Sequence, residues 1–183
     1  MNEIINKFRN SIGNFLLNRK LNKSRREKNV VNIDEARSIA IIYNVTDEKR
    51  FGIIKKVSKQ LSNENRQVMI LGYIDSKSIP NYCVAANAGY YFNRKSVNWY
   101  GGPKTDYLEQ FVQKPFDLLI DFTTEDFIIT KYIAGLSNSK FKAGSFSNFH
   151  QKYLDMMIER SPETSFEAYV DHTLHYLKIL RSK

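Results

Sequence analysis

The stretch Ser38-Ile-Ala-Ile-Ile-Tyr-Asn-Val45 decides the fold, read with the segments that follow it. It is a short, β-branched apolar run without polar alternation, the pattern of a strand buried on both faces. Thr46 then offers a helix cap, with Asp47 and Glu48 in the first turn. Phe51, Ile54, Val57 and Leu61 recur at helical spacing, which predicts a helix over 47–64. Gln67-Val-Met-Ile-Leu-Gly-Tyr-Ile74 is a second apolar strand. Strand, helix and strand within about 37 residues form a βαβ unit, hence a parallel pair with a right-handed crossover.

Phe116-Asp-Leu-Leu-Ile-Asp-Phe122 repeats the pattern as a third buried strand. Thr124 is placed to cap the next helix, with Glu125 and Asp126 in its first turn and Tyr132, Ile133 and Leu136 on its apolar face. Phe141–Ser145 and Tyr153–Ile158 read as short strands, and Phe166 to Leu180 as a C-terminal helix. Between the second and third strands the chain is less regular. Residues 89–93 and 97–100 are aromatic strand candidates, Gly101-Gly102-Pro103 is a loop, and 105–113 a short helix. Alternating strands and helices imply an α/β class: one Rossmann-like three-layer sandwich with a mainly parallel sheet. The domain occupies 36–183, preceded by an amphipathic helix (1–18) and a basic linker (19–35).

Composition agrees with one packed domain. The 183 residues are 42% apolar and 13% aromatic, which excludes a disordered chain. A single cysteine, Cys83, excludes an internal disulfide or a CxxC site. No apolar run reaches the ~18 residues of a membrane span, and the N-terminus lacks the core of a signal peptide. The expectation is a cytoplasmic protein.

The net charge of +9 is unevenly placed. Residues 1–28 hold eight cations against Glu3 and Glu27, so six of the nine excess charges lie there. Ile4, Ile5, Phe8, Ile12, Phe15 and Leu16 form an apolar helical stripe. The cations Arg19, Lys20, Lys23, Arg25, Arg26 and Lys28 follow it. Three readings compete: a helix packed on its own domain or on a protein partner, phosphate contact with RNA, or a helix lying on an anionic membrane. Within 1–18 only Lys7 and Arg9 accompany the stripe, and most cations come after it. That order favours a non-catalytic protein docking onto RNA or a ribonucleoprotein such as the ribosome.

Candidate chemistry lies where parallel strands end. The first turn, Asn44-Val45-Thr46-Asp47, has no glycine, so the usual phosphate-binding loops are missing. Asp75 ends the second strand, where dinucleotide folds place a ribose-binding acid. Asp117 and Asp121 share a strand face but stand about 13 Å apart, too far to share a proton. His172 and His175 have metal-compatible spacing without a third ligand, and no metal or cofactor is assigned. Trp99, Tyr100, Gly101, Gly102 and Lys104 could stack a base or sugar and meet a phosphate. With Asp121 and Gly144 they make a possible ligand pocket and support an alternative: a sugar- or nucleotide-using transferase.

The segments SIAIIYNV, QVMILGYID, NWYGGP, FDLLIDF, YIAGLSNSKFKAG, YLDMMI and HYLKIL resemble an uncharacterised bacterial family of single-domain proteins. Residues 116–146 are similar to the strand–helix–strand of the N-terminal half of heptosyltransferase-like glycosyltransferases. There an aspartate ends the first strand and a glycine the next, features that Asp121 and Gly144 match, so the resemblance implies shared architecture more than shared catalysis. Such enzymes use two halves, and this chain has room for one.

Overall fold

A computed structural model describes residues 2–62, 66–85 and 89–181, with the side chains of residues 1–6 outside the described set. The strands are β1 (Ser38–Asn44), β2 (Gln67–Ile74), β3 (Tyr90–Asn93), β4 (Leu118–Asp121), β5 (Phe141–Ser145) and β6 (Met156–Ile158). The helices are α1 (Asn2–Leu21), α2 (Glu48–Ser62), α3 (Asn81–Ala85), α4 (Asp106–Gln113), α5 (Ile128–Leu136) and α6 (Phe166–Ile179). All pairings are parallel, in the order β3-β2-β1-β4-β5-β6. The chain winds outward from β1 in one direction and then, from β4, in the other. This is the doubly wound Rossmann-like order, with its switch point between β1 and β4.

β1 shows why the alternation is lost in sequence. Ile39, Ile41 and Tyr43 enter one core with Phe51, Ile54 and Val57 of α2 and Tyr169, Val170 and Leu177 of α6. Ala40 and Ile42 enter the other with Leu108 and Phe111 of α4 and Ile129 and Ile133 of α5. Both faces of the strand are covered, so its interior positions, Ile39 to Tyr43, carry no polar alternation.

The structure corrects several local expectations. Asp47, not Thr46, caps α2: its Oδ1 accepts from Arg50 N at 2.8 Å, while Thr46 Oγ1 donates to Asp47 Oδ2. α2 ends at Ser62, and residues 63–65 lie outside the described set. Thr124 does not cap α5, which starts at Ile128, because Asn44 and Arg50 already engage Thr124. Residues 97–100 are not a strand; they form a tight loop closed by an isolated bridge between Val97 and Pro103.

The N-terminal arm departs most from its sequence reading. α1 continues through Leu21 and so takes in Arg19 and Lys20. It packs on α5 through Gly13, Leu17 and Leu21, against Ile128, Tyr132 and Leu136. The predicted apolar stripe is therefore not the docking face. Phe8 and Phe15, seven residues or about two turns apart, point outward and are each 67% exposed. Ile12 and Leu16 are half-buried, and the side chains of Ile4 and Ile5 lie outside the described residues. No described helix is long and apolar enough to cross a membrane.

The linker is not a loose tether. Arg26 Nη1 donates to the carbonyls of Lys140 at 2.8 Å and Ser139 at 3.2 Å, and Nη2 pairs with Asp155. Asn32 Nδ2 donates to the Lys178 and Leu180 carbonyls at 2.8 and 2.7 Å. These contacts pin residues 22–35 to the sheet edge and to the end of α6.

Candidate functional site

The carboxyl ends of the strands form one rim, where ligands bind in such sheets. At its centre, the switch point is closed by the protein's own side chains. Asn44 Nδ2 donates to Glu125 Oε1 at 2.9 Å, and Asn44 Oδ1 accepts from Thr124 N at 2.9 Å. Arg50 Nη1 donates to Thr124 Oγ1 at 2.6 Å, and its guanidinium lies over the Phe166 ring. With bulky Val45 buried beside them, no backbone cradle for a pyrophosphate is left there.

Open space lies on either side of this plug. Past β2 and β3 is a cavity of about 490 Å³, lined by Arg9, Asn10, Tyr73, Asp75, Arg94 and Trp99 among others. Arg94 grips Asp75 with two bonds of 2.7 Å, and Tyr73 donates to the same carboxylate at 2.9 Å. The Arg94 guanidinium holds the Asp75 carboxyl below its usual range. Asp75 is thus already occupied and does not present a free carboxylate to a ribose.

Trp99 stands at the tip of the Gly-Gly loop, 64% exposed, with its ring edge-on to Tyr100. The loop is held by Asn98, whose Oδ1 accepts from Gly102 N at 2.8 Å. Gly101 has φ of +89°, a conformation that needs glycine. Tyr100 turns inward towards Tyr132, and Gly102 is buried against the Tyr100 ring. Lys104 is exposed.

On the other side, past β4, β5 and β6, is a cavity of about 500 Å³. Asp121 lies buried beneath this end of the sheet, and its Oδ1 accepts from Thr123 N at 2.9 Å. Burial pushes its carboxyl above the usual range, against the opposing effect of the Thr123 bonds. Gly144 pairs with Asp121 in register, and a β-carbon on it would come within 2.9 Å of the Asp121 carbonyl. Its role is close strand packing, not ligand contact. The structure therefore separates the predicted pocket: Trp99 and Gly101 line one cavity, while Asp121 and Gly144 sit under the other. Asp117 belongs to neither; at the opposite end of the sheet it accepts from Ser38 N and pairs with Lys140.

Of the six nominated cations, Arg19, Lys20, Lys23, Arg25 and Lys28 are exposed, and Arg26 is turned inward. Lys28 also reaches Asp155 at 3.7 Å, and Lys20 lies over the Tyr132 ring. Cys83 is buried, which raises its thiol to about 11 and makes it a poor nucleophile at neutral pH. Among the described residues, no group of three or more His, Cys, Asp or Glu is placed to hold a metal. Sequence reasoning missed Thr123, Lys131 and His150 at the second cavity. Only Thr123 carried a signal, its place just past the carboxyl end of β4.

No curated protein matches the chain. A family model described as a family of unknown function, DUF6913, matches residues 9–180, which takes in most of α1, the basic segment and the whole sheet. The chain is a member of that family.

Proposed function

We propose that the protein docks on an anionic membrane surface through α1 and the cations that follow it. The observation that carries this reading is the outward row of Phe8 and Phe15 on a helix held to the domain by its opposite face. An interfacial helix buries an apolar face at the headgroup boundary and flanks it with Lys and Arg. Lys7, Arg9, Arg19 and Lys20 now all lie on α1, and Lys23, Arg25 and Lys28 follow, all exposed. Each cation near such a surface contributes about 1 kcal/mol. Burying an exposed phenyl ring adds about 1.5–3 kcal/mol. RNA or a ribonucleoprotein is the second reading, favoured by the same exposed cations but leaving the aromatic row unused.

Flotation with vesicles separates the two. Binding to phosphatidylglycerol-containing vesicles, absent with pure phosphatidylcholine, is expected. Phe8→Asp with Phe15→Asp should abolish it while the circular dichroism spectrum is kept. Vesicle binding that survives both substitutions sinks the membrane reading. Retention on total RNA that ignores them but is lost when Arg19, Lys20, Lys23 and Arg25 become Gln establishes the RNA reading instead.

A further inference from the structure

We propose that the pocket between the basic segment and the end of α5 binds the phosphate group of a phosphate monoester. The pocket measures about 270 Å³, below the roughly 300–1,000 Å³ that enclose drug-sized ligands. It admits a small group and leaves the rest of a larger molecule outside. Arg25, Arg26, Lys28 and Lys152 line it, and among the described residues no Asp or Glu does. Glu27, the nearest acid in sequence, is engaged by Asn29 Nδ2 at 3.0 Å.

The four cations are not equivalent. Arg26 is spent on the Ser139 and Lys140 carbonyls and on Asp155, and it fixes the segment in place. Lys28 Nζ stands 3.7 Å from Asp155, and its side chain is 67% exposed. Lys152 Nζ uses one donor on Asn18 Oδ1 at 2.9 Å and keeps two. The Arg25 guanidinium has no hydrogen-bond or ion-pair partner among the described residues. Set against Asp155, the four leave a surplus of three charges. Lys142, whose Nζ donates to the carbonyl of the wall residue Gly135, lies in the same field. Burial first, and then Arg26 and Lys28, disfavour its ammonium against the opposing effect of Asp155. Such a surplus suits a phosphate monoester, which carries about −1.5 to −2 at neutral pH, better than a carboxylate of single charge. The Arg25 fork and two ammonium groups supply charge-assisted donors for its terminal oxygens. The half-buried Ser24 adds a hydroxyl.

Amide NMR with inorganic phosphate and with glycerol 3-phosphate tests the pocket, each at about 20 mM, enough to fill a site of millimolar Kd. Acetate at matched ionic strength is the control. Shifts at Ser24, Arg25, Gly135 and Tyr153 are expected from both phosphates and not from acetate. Arg25→Gln and Lys152→Gln, changes at exposed side chains, should each weaken binding about tenfold, the loss of one charge-assisted hydrogen bond, with Tm unchanged. Flotation reads the source of the phosphate. Stronger binding to vesicles holding phosphatidic acid than to those holding phosphatidylglycerol, erased by the two substitutions together, assigns the pocket to a lipid headgroup. Equal binding with the shifts kept assigns it to a soluble phosphate. The pocket does not rest on the membrane reading: the variant with Phe8→Asp and Phe15→Asp should give the same phosphate shifts. The proposal is overturned if neither phosphate shifts these amides, if acetate shifts them as much, or if both Gln variants bind as the parent does.

Discussion

Gly13 of α1 lies directly against the backbone carbonyl of Tyr100: a β-carbon built on it would stand 2.2 Å from that oxygen and 2.8 Å from Ile128 Cδ1. A glycine that looks like a flaw in an amphipathic helix is the notch by which the helix docks. Gly13→Ala gains about 1 kcal/mol of helix propensity, but a backbone carbonyl has little room to yield. The overpacking cost, about 1–3 kcal/mol or more, should win. Expected is a lower Tm and faster tryptic cleavage at Arg19 and Lys20; unchanged proteolysis would show that α1 does not dock at this notch.

The two faces of α1 should answer substitution differently. Leu17 is fully buried and Phe15 is 67% exposed. Leu17→Ala should cost about 2–5 kcal/mol in urea unfolding. Phe15→Ser should stay within about 0.5 kcal/mol. The reverse order would mean that the apolar stripe, not its opposite, holds the helix.

Arg26 and Asp155 form a pair with side-chain exposures of 7% and 14%. Removing one member strands the other, which costs about 3–5 kcal/mol for buried pairs. Arg26→Met should lose stability in that range. Adding Asp155→Leu should recover part of it, because the stranded carboxylate is gone. A double variant clearly worse than the single one would assign Asp155 a larger role than pairing.

Lys142 is buried, and its Nζ donates to the Gly135 carbonyl at 2.8 Å. Burial, with Arg26 nearby, lowers its ammonium from 10.5 to about 7. Between those values the unfolded chain binds a proton that the folded one refuses. This group therefore makes stability rise with pH from about 7 to about 10. Its contribution is complete above the unfolded value and lost as pH falls through the folded one. Lys142→Met should flatten the pH dependence of the urea midpoint across that window; an unaltered slope would mean that the lysine keeps its charge in the fold.

The strands were legible because β1, β2 and β4 are covered on both faces, and burial leaves an apolar run without alternation. The parallel pairing of β1 with β2 followed from the βαβ rule, whereas the full order β3-β2-β1-β4-β5-β6 emerges only from the pairings themselves. Phe8 and Phe15 illustrate what was not legible. Periodicity marks an apolar face but not what covers it, and Gly13 and Leu17 gave no competing stripe. Arg26 looked like its neighbours because its partners Ser139, Lys140 and Asp155 lie more than a hundred residues away. The two cavities were half-legible for the same reason. Trp99 stood out by composition, while Thr123 and His150 meet only after β4 and β5 pair. The closure of the switch point by Asn44, Thr124 and Arg50 depends on side-chain contacts that residue spacing does not encode.

The docking partners of α1 also set an order of events during synthesis. The helix is made well before its partners: α5 ends at Leu136 and the Arg26 latch waits for Asp155. A growing chain therefore carries an uncovered cationic helix, with both of its apolar faces free, until most of the domain has emerged. Contacts this distant in sequence are slow to form. Completion of β6 then covers one of the two faces and leaves the other, with Phe8 and Phe15, as the lasting surface of the helix.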